Sequence, residues 1–339
     1  IPSILRGFSA PVILHQDNDP ARHAFLLAHD TDAFIRWESA RALAYASITA
    51  TITAGDAPRA DLLDGLARLA CDGALAPAFR ALCLRLPSED DLAGHLHALG
   101  IVPDPAAIYT ARTDLHCALA QRLGADIGPL LDGLQPSGPY TPSADAAGQR
   151  ALQGALLALS ARLDGGACAH SAYEGADNMT ASIAALTALL MVGAGQGALD
   201  AFYARWRGER LVLDKWFGLQ IAYAAPDMAA QLTQQLTQHP DFDLKNPNRF
   251  RAVLGALVGN HAGFHHASGA GYRVLADWLI ALDPINPQTA ARMASALEAW
   301  PRYDAARRAL ICAQLDRILA VENLSPNLSE MIGRIRAAG

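Results

Sequence analysis

Apolar residues recur along most of the chain at spacings of three and four, which is the spacing of one face of an α-helix. Leu62, Leu66 and Leu69 share one such face, and polar residues fill the opposite side. Roughly 15 segments of this kind are joined by short turns rich in Gly, Pro and Asn. Short connections favour antiparallel helix pairs stacked side by side. Because no fixed repeat period is visible, the predicted fold is an all-α, irregular superhelix of the HEAT/armadillo type.

Helix starts are marked by N-cap residues, several of them followed by Pro at the first helical position, where the missing N–H costs nothing. These residues are Asp19, Asp32, Ser88, Asp104, Ser143, Asn246, Asn286 and Ser325. The most linker-like stretch runs from Leu134 to Pro142. We interpret it as a surface loop within one stack, with a hinge as the alternative.

The first 14 residues differ from the rest of the chain. Leu5 to Leu14 is a short run with β-branched residues, bounded by Gly and Pro, which predicts a strand. A lone strand cannot satisfy its own backbone, so we expect its partners in an upstream β domain or among the helices. The sequence begins at Ile1 without a Met or a secretory signal, and we interpret it as a fragment. Residues 15–339 are predicted to form one α-superhelical domain.

Composition excludes several classes of partner. The 339 residues carry 27 basic and 33 acidic side chains, without a dense basic stripe, so nucleic acid is not expected. The continuous apolar run from Ile183 to Val192 is about half the ~20 residues that span a bilayer, which predicts a buried helix and no membrane segment. The five cysteines contain no CxxC pair, which favours a reducing, cytoplasmic location without disulfides or a thiolate zinc site.

The densest histidine group is His261, His265 and His266, in the sequence HAGFHH. The first two have the spacing of a helical metal pair, but Ala262 stands where a zinc protease needs the Glu that activates water. We therefore predict a loop of hydrogen-bonded histidines, with metal binding as the alternative.

Three other motifs are interpreted structurally. His170 and Glu174 form an i,i+4 pair without a third ligand, which is typical of an exposed helix surface. Asp90-Asp91 looks like an acidic first helical turn, because no further acidic residue completes a magnesium-binding cluster. Gly193–Gly197 lacks GxGxxG spacing and a preceding strand, so it is predicted to be a turn between helices. No catalytic or metal site is predicted in this chain.

Polar clusters embedded in helical sequence remain. They are Asp177-Asn178, Asp214-Lys215-Trp216, Asn246 to Arg251, and Asn286-Pro287-Gln288 with Arg292. Arg292 lies four residues after Gln288, so the two side chains project from the same face of a helix that starts at Pro287. Composition alone leaves open whether this is an ordinary surface pair or a binding face.

Several of these segments, taken together, resemble the C-terminal helical domain of bacterial aminopeptidase N, a zinc-dependent alanyl aminopeptidase of the gluzincin class. Eight matching stretches follow the family's order and cover nearly the whole chain. They are Leu5 to Val12, Asp177 to Thr180, Leu213 to Phe217, Asn246 to Arg249, Gly271-Tyr272, Asn286 to Gln288, Arg302 to Ala305 and Glu322 to Ser325.

The resemblance implies that the catalytic groups belong to a different domain from this chain. Family members have a β saddle, a thermolysin-like catalytic domain, a small β-sandwich and a C-terminal α-superhelix. Residues 1–14 resemble the last β-sandwich strand, and residues 15–339 resemble the superhelix. The zinc ion and the catalytic Glu belong to the upstream domain, so this chain alone is expected to hold no cofactor and to be inactive.

The resemblance also implies a role as a lid that closes over the catalytic domain and controls peptide access. Gln288 and Arg292 match positions that contact substrate beyond the scissile bond, so the implied partners are peptides and the upstream domains. For Asn246–Arg251 we expect caps and interhelical hydrogen bonds, with lining of the same cavity as the alternative. Asp214-Lys215-Trp216 is expected to fix neighbouring helices through an indole and an ion pair. The alternative function is an independent α-solenoid interaction module.

Overall fold

The computed structural model describes residues 1–12, 19–135, 138 and 140–338, and these form α-helices, short 3-10 turns and loops, without β-strands. The helices, in chain order, are α1 Pro20–His29, α2 Ala33–Ala54, α3 Ala60–Cys71, α4 Pro77–Cys83, α5 Glu89–Ala98, α6 Pro105–Leu123, α7 Ile127–Asp132, α8 Ala144–Asp164, α9 Ala167–Glu174, α10 Met179–Met191, α11 Gln196–Trp206, α12 Arg210–Ala222, α13 Ala229–Leu236, α14 Pro247–Gly259, α15 His261–Phe264, α16 Ala270–Leu282, α17 Pro287–Ala294, α18 Ala305–Leu319 and α19 Pro326–Ala337. The all-α prediction is confirmed. Short helices such as α15 raise the number above the roughly 15 predicted.

The predicted N-cap residues all stand directly before a helix. At α1, the Asp19 carboxylate accepts a hydrogen bond from the Ala21 N–H at 2.9 Å. The same kind of bond forms at Asp32, Asp104, Ser143, Asn246, Asn286 and Ser325. Each cap satisfies an N–H that the helix cannot, which stabilises the helix by about 1 kcal/mol.

The predicted N-terminal strand is wrong for the residues that the structure describes, while Ile13 and Leu14 lie outside them. Arg6–Phe8 forms a 3-10 turn instead. Its polar groups are satisfied by the connection between α1 and α2, because Arg6 pairs with Asp30 at 2.8 Å and the Gly7 N–H donates to Asp32 at 2.9 Å. A strand needs a neighbouring strand for these bonds, and the described residues contain no β-strand.

The described residues divide into two compact units. Unit 1 contains Ile1–Ser88 and Thr110–Ala198, and unit 2 contains Glu89–Tyr109 and Leu199–Gly339. Two of the three boundaries fall within α6 and α11, and the third lies between Ser88 and the start of α5. The assignment of residues 15–339 to one domain stays a prediction.

Unit 1 is centred on α8, which packs against α4, α9 and α10. Leu152 and Leu156 of α8 and Leu186 of α10 are fully buried, and each buried leucine contributes about 1.5–3 kcal/mol. Most of α10 is buried or half-buried, as predicted for the apolar run. In the part of the chain that is described, every helix is too short or too polar to cross a membrane.

Unit 2 is built around α12, α14 and α16. Helix α14 packs against α12, and α16 packs against α13, α17 and α18. The large side chains Phe217, Phe250, Phe264 and Tyr272 are fully buried there. Phe264 and Tyr272 meet edge to face at 5.4 Å, an arrangement that aromatic rings favour.

Gly271, at the start of α16, lets that helix approach α15 closely. A Cβ atom at this position would lie 2.5 Å from the Phe264 carbonyl oxygen and 2.9 Å from its Cα. Because these are backbone atoms, we expect Gly271→Ala to lower the free energy of unfolding of unit 2 by about 1–3 kcal/mol. Urea denaturation measures the loss. Gly255→Ala on α14 is the control, since its Cβ would meet nothing within 4 Å. Equal stability of the two variants would contradict the steric argument.

Candidate functional site

Helix α17 carries the two residues for which the family resemblance implies substrate contact. Its first turn is fixed by Asn286, whose side-chain oxygen accepts a hydrogen bond from the Thr289 N–H at 3.0 Å. Its inner face consists of small residues, with Ala290 and Ala294 fully buried, and it packs against α16 and α19. Small buried side chains let the helix lie close to its neighbours, so its outer face is held in a defined position.

Gln288 and Arg292 are both exposed, on the outer face of α17. They are one helical turn apart, so their side chains project in the same direction, as predicted. Neither side chain makes a hydrogen bond or an ion pair within the described residues, whereas most of the other arginines there do. A guanidinium with its donors unpaired can bind a carboxylate or a carbonyl oxygen of a ligand.

The turn that leads into α17 is tied to the end of unit 2. Asp283 is almost fully buried, at 3% exposure. Its carboxylate accepts hydrogen bonds from the Ser325 N–H and hydroxyl at 2.8 and 2.5 Å. Ser325 is also the N-cap of α19. The loop that precedes α17 is therefore held to the start of α19 by hydrogen bonds to the Asp283 carboxylate.

The Asn246–Arg251 cluster acts as a cap and an interhelical connection in this structure. Arg249 is buried, forms an ion pair with Asp214, and donates to the main-chain oxygens of Asp241 and Arg210. Its guanidinium also lies over the Phe217 ring, 4.7 Å from the centroid. These contacts join α14 to α12, which supports the structural interpretation of the cluster.

The Asp214-Lys215-Trp216 segment fixes helices as predicted. Asp214 supplies the ion pair to Arg249, and the indole N–H of Trp216 donates to the Leu199 carbonyl at 3.1 Å. Trp216 also packs against the Tyr203 ring at 4.7 Å. Helix α12 is thereby connected both to α14 and to α11 within unit 2.

Two of the three HAGFHH histidines are hydrogen-bonded core residues, and the third, His266, is partly exposed and pairs with Ser268. His261 and His265 are buried, and they pair with the hydroxyls of Tyr303 and Tyr272 at 2.9 and 3.0 Å. The His265 and Tyr303 rings also lie 4.3 Å apart. His261 belongs to the one-turn helix α15, so the predicted loop is partly helical. Where the chain is described, no three His, Cys, Asp or Glu side chains form a group that could hold a metal ion.

Burial keeps both imidazoles neutral. The pKa of His261 is lowered to about 4, chiefly by loss of hydration, with the nearby Arg302 and Arg307 acting in the same direction and Asp90 opposing them. Burial likewise holds the pKa of His265 well below its ordinary value, with His261 and the same arginines adding to the effect. A neutral imidazole offers one donor and one acceptor, which suits it to the tyrosine hydroxyls here.

The remaining motifs have the structural roles that were predicted. His170 and Glu174 are exposed and lie 3.7 Å apart, a weak surface pair. Asp90-Asp91 lies in the first turn of α5, and Asp90 pairs with Arg302. Gly193–Gly197 covers the turn between α10 and α11 and the start of α11. In the Leu134 to Pro142 segment, Pro136, Ser137 and Pro139 lie outside the described residues.

Sequence reasoning missed the partners of the histidines. Tyr303 is 42 residues from His261, and Glu89 approaches the other nitrogen of that imidazole at 3.8 Å. Arg302 donates to the Tyr303 hydroxyl at 2.8 Å. The Arg302 to Ala305 stretch is one of the segments that resemble the family, which marks the region of Tyr303 in the sequence. The pairing itself requires tertiary structure.

These features define an all-α domain of stacked helices with a candidate binding face, and the donor groups of its described residues do not fit a zinc site. Residues 20–337 match the family described as "Domain of unknown function (DUF3458_C) ARM repeats". The chain belongs to this family. Its similarity to known proteins identifies it as a C-terminal helical domain of the aminopeptidase N type.

Curated relatives support this identification. The chain is 42% identical over 341 residues to aminopeptidase N of Caulobacter vibrioides. It is 32% identical to aminopeptidase N of Haemophilus influenzae and 30% identical to that of Escherichia coli. These alignments cover 98–99% of this chain but 39% of each relative. The chain therefore spans about two fifths of the length of the relatives it matches.

A solved structure supports the fold. The crystal structure of Legionella pneumophila aminopeptidase A in complex with aspartic acid matches with a TM-score of 0.89 and 28% identity. The match covers 99% of this chain and 40% of that chain. The arrangement of helices is thus shared with part of a larger aminopeptidase.

Proposed function

We propose that this chain is the substrate-access domain of a zinc-dependent aminopeptidase N, an enzyme that removes N-terminal residues from peptides. In this proposal it caps the catalytic domain, encloses the active-site cavity and admits peptides. The zinc ion and the reacting groups belong to the catalytic domain, and the chain alone is inactive. The chain matches about two fifths of the relative's length, which supports placing the catalytic groups in the remaining part of the enzyme. The five free cysteines favour a reducing compartment such as the cytoplasm.

The observation that carries the proposal is the outer face of α17. Arg292 is exposed there without an acidic partner among the described residues, and Gln288 lies one turn earlier on the same face. The guanidinium attracts the carboxylate or a carbonyl oxygen of a peptide, and the amide adds a neutral donor and acceptor. Both residues act in binding and specificity beyond the scissile bond.

We expect Arg292→Ala to raise KM for dipeptides on the order of tenfold, with a smaller decrease in kcat, because it removes a charge-assisted contact made on binding. The test uses a chimera in which this chain replaces the matching part of Caulobacter vibrioides aminopeptidase N. Kinetics are compared across dipeptides that vary in the second residue. The control is Arg308→Ala, which removes an exposed arginine from a different helix, α18. Unchanged kinetics of Arg292→Ala across the series would contradict the assignment.

The access role has a separate test. The catalytic part of the Caulobacter vibrioides relative is assayed on an alanyl anilide with and without this chain, and this chain plus zinc is assayed alone. We expect activity to appear or change only when the two parts are combined. Hydrolysis by this chain plus zinc alone would show that it holds a catalytic site, and the absence of any effect would favour an independent interaction module.

A further inference from the structure

A pocket of about 540 Å³ lies in unit 1, among α8, α9, the start of α10 and the residues that precede α8. Its volume is in the range of small-molecule sites, which extends from about 300 to 1,000 Å³. Its apolar wall consists of buried or half-buried side chains, namely Ala146, Leu157, Ala172, Ala181 and Ala184. Larger side chains at the alanine positions would fill the space. The pocket is therefore a candidate binding site that the proposed function does not use.

Arg150 of α8 is half-buried in the lining of this pocket. Its Nη1 donates to the Thr141 carbonyl at 3.2 Å, and its guanidinium lies over the Tyr140 ring, 4.7 Å from the centroid. Its Nε is shielded from solvent and, like Nη2, has no hydrogen-bond partner among the described residues. Arg302 also has a shielded Nε, but its charge is compensated by Asp90. Arg150 has no acidic partner in the described chain, so it is an oriented cation with unused donors.

Asp177 is the second charged residue in the described lining of the pocket, and it lies in the turn between α9 and α10. It is exposed, and its carboxylate accepts a hydrogen bond from the Asn178 side-chain amide at 2.8 Å. Asn178 is itself fixed, because its oxygen caps α10 through the Ala181 N–H at 2.9 Å. Where the chain is described, no Lys or Arg pairs with Asp177. The pocket thus contains a cation and an anion that form an ion pair neither with each other nor with another described side chain.

The two unpaired charges narrow the class of ligand. A guanidinium with free donors binds a carboxylate, and a carboxylate without a cation binds an ammonium group. A dianion such as phosphate would be repelled by Asp177. An uncharged ligand would shield both groups from water without pairing with either one. The ligand that matches both charges and the apolar wall is a zwitterion with an apolar side chain.

We propose that this pocket binds a small zwitterion with an apolar side chain, either a free amino acid or a dipeptide. The carboxylate of the ligand pairs with Arg150, its ammonium group pairs with Asp177, and its side chain packs against the alanines. The choice of ligand follows from the groups of the pocket and does not rest on the proposed function. The site is separate from Arg292, which belongs to unit 2 and does not line the pocket.

The test titrates leucine and the dipeptide leucyl-leucine into the ¹⁵N-labelled 339-residue chain. The backbone amide signals of Ala172, Ala176 and Ala181 report on the pocket. Each probe is also used with its amine acetylated or with its carboxylate amidated. We expect one or both zwitterions to move these signals, and we expect each blocked form to bind roughly tenfold more weakly, because it lacks one of the two charges. The tighter of the two zwitterions identifies the ligand.

Two variants assign the charges. Arg150→Gln should weaken binding of the zwitterion roughly tenfold and abolish its preference over the amidated form. Asp177→Asn should abolish its preference over the acetylated form. Because Asp177 is exposed, the second variant keeps the fold even if the loss of Arg150 disturbs it. Arg68→Gln, which removes an exposed arginine from α3 in the same unit, is the control and should bind as the parent does.

Several results would overturn this proposal. They are the absence of binding by both zwitterions, equal binding of the zwitterions and their blocked forms, and tighter binding of acetate or inorganic phosphate. Binding that Arg150→Gln and Asp177→Asn both leave intact would do the same. Arg292→Ala should bind zwitterions as the parent does, whatever its kinetics in the chimera. Failure of the pocket proposal is therefore distinguishable from failure of the access role.

Discussion

Replacing Arg249 with Ala is expected to lower the free energy of unfolding of unit 2 by about 3–5 kcal/mol, the usual loss when one partner of a buried ion pair is removed. The Arg249 side chain is 4% exposed and that of Asp214 is 14% exposed. The variant leaves the Asp214 carboxylate without its cation and the Asp241 carbonyl without its donor. It also removes the guanidinium from the face of Phe217.

Urea unfolding followed through the indole ¹⁵N–H signal of Trp216 reports on this region, because that group donates to Leu199 within unit 2. Arg251→Ala is the matched control. Arg251 lies on the same helix but is exposed, and its side-chain bonds in the described part of the chain are to Pro247 and Asn248 of α14. Its loss should therefore stay within about 0.5 kcal/mol. A double-mutant cycle with Asp214→Ala should show losses well below additive. A loss under about 1 kcal/mol for Arg249→Ala would mean that the pair does not hold α14 to α12.

Local signals allowed the helices to be predicted from the sequence. Asn246 and Asn286 each precede a proline. The capping side chain and the proline ring both act on the first turn of the helix that follows. The starts of α14 and α17 therefore follow from the sequence. The shared face of Gln288 and Arg292 follows in the same way, because helix geometry determines it once the start is known.

Pairings between distant residues could not be predicted in this way. Arg249 and Asp214 are 35 residues apart, and nothing near either one identifies its partner. The N-terminal segment shows the same limit. Its apolar pattern favours a strand, but Asp30 and Asp32 supply the partners that allow a 3-10 turn. Where tertiary contacts satisfy the backbone, they override a local preference for β-structure.

Unit 2 is expected to lose stability in acid because of His261, by about 3 kcal/mol between pH 7 and pH 4. The pKa of this buried imidazole is lowered to about 4 in the folded chain, against about 6.5 when unfolded. Its neutral form therefore fits the fold, and the unfolded chain binds the proton more readily. Stability is fully present above about pH 6.5 and is lost as the pH falls toward 4. Burial of His265 adds a loss of the same sign.

The measurement is urea unfolding from pH 7 to pH 4, followed through the indole signal of Trp300, which donates to Ile335 at 2.8 Å in unit 2. A local signal is needed because His116 in unit 1 also has its pKa lowered by burial, to about 3. His261→Gln should be less stable at pH 7 but should lose about 3 kcal/mol less than the parent on acidification. The control is His266→Gln, the same change at a partly exposed histidine that pairs with Ser268 and not with the core tyrosines. If His261→Gln and the parent lost equal stability between pH 7 and pH 4, His261 would not be the group whose protonation opens this core.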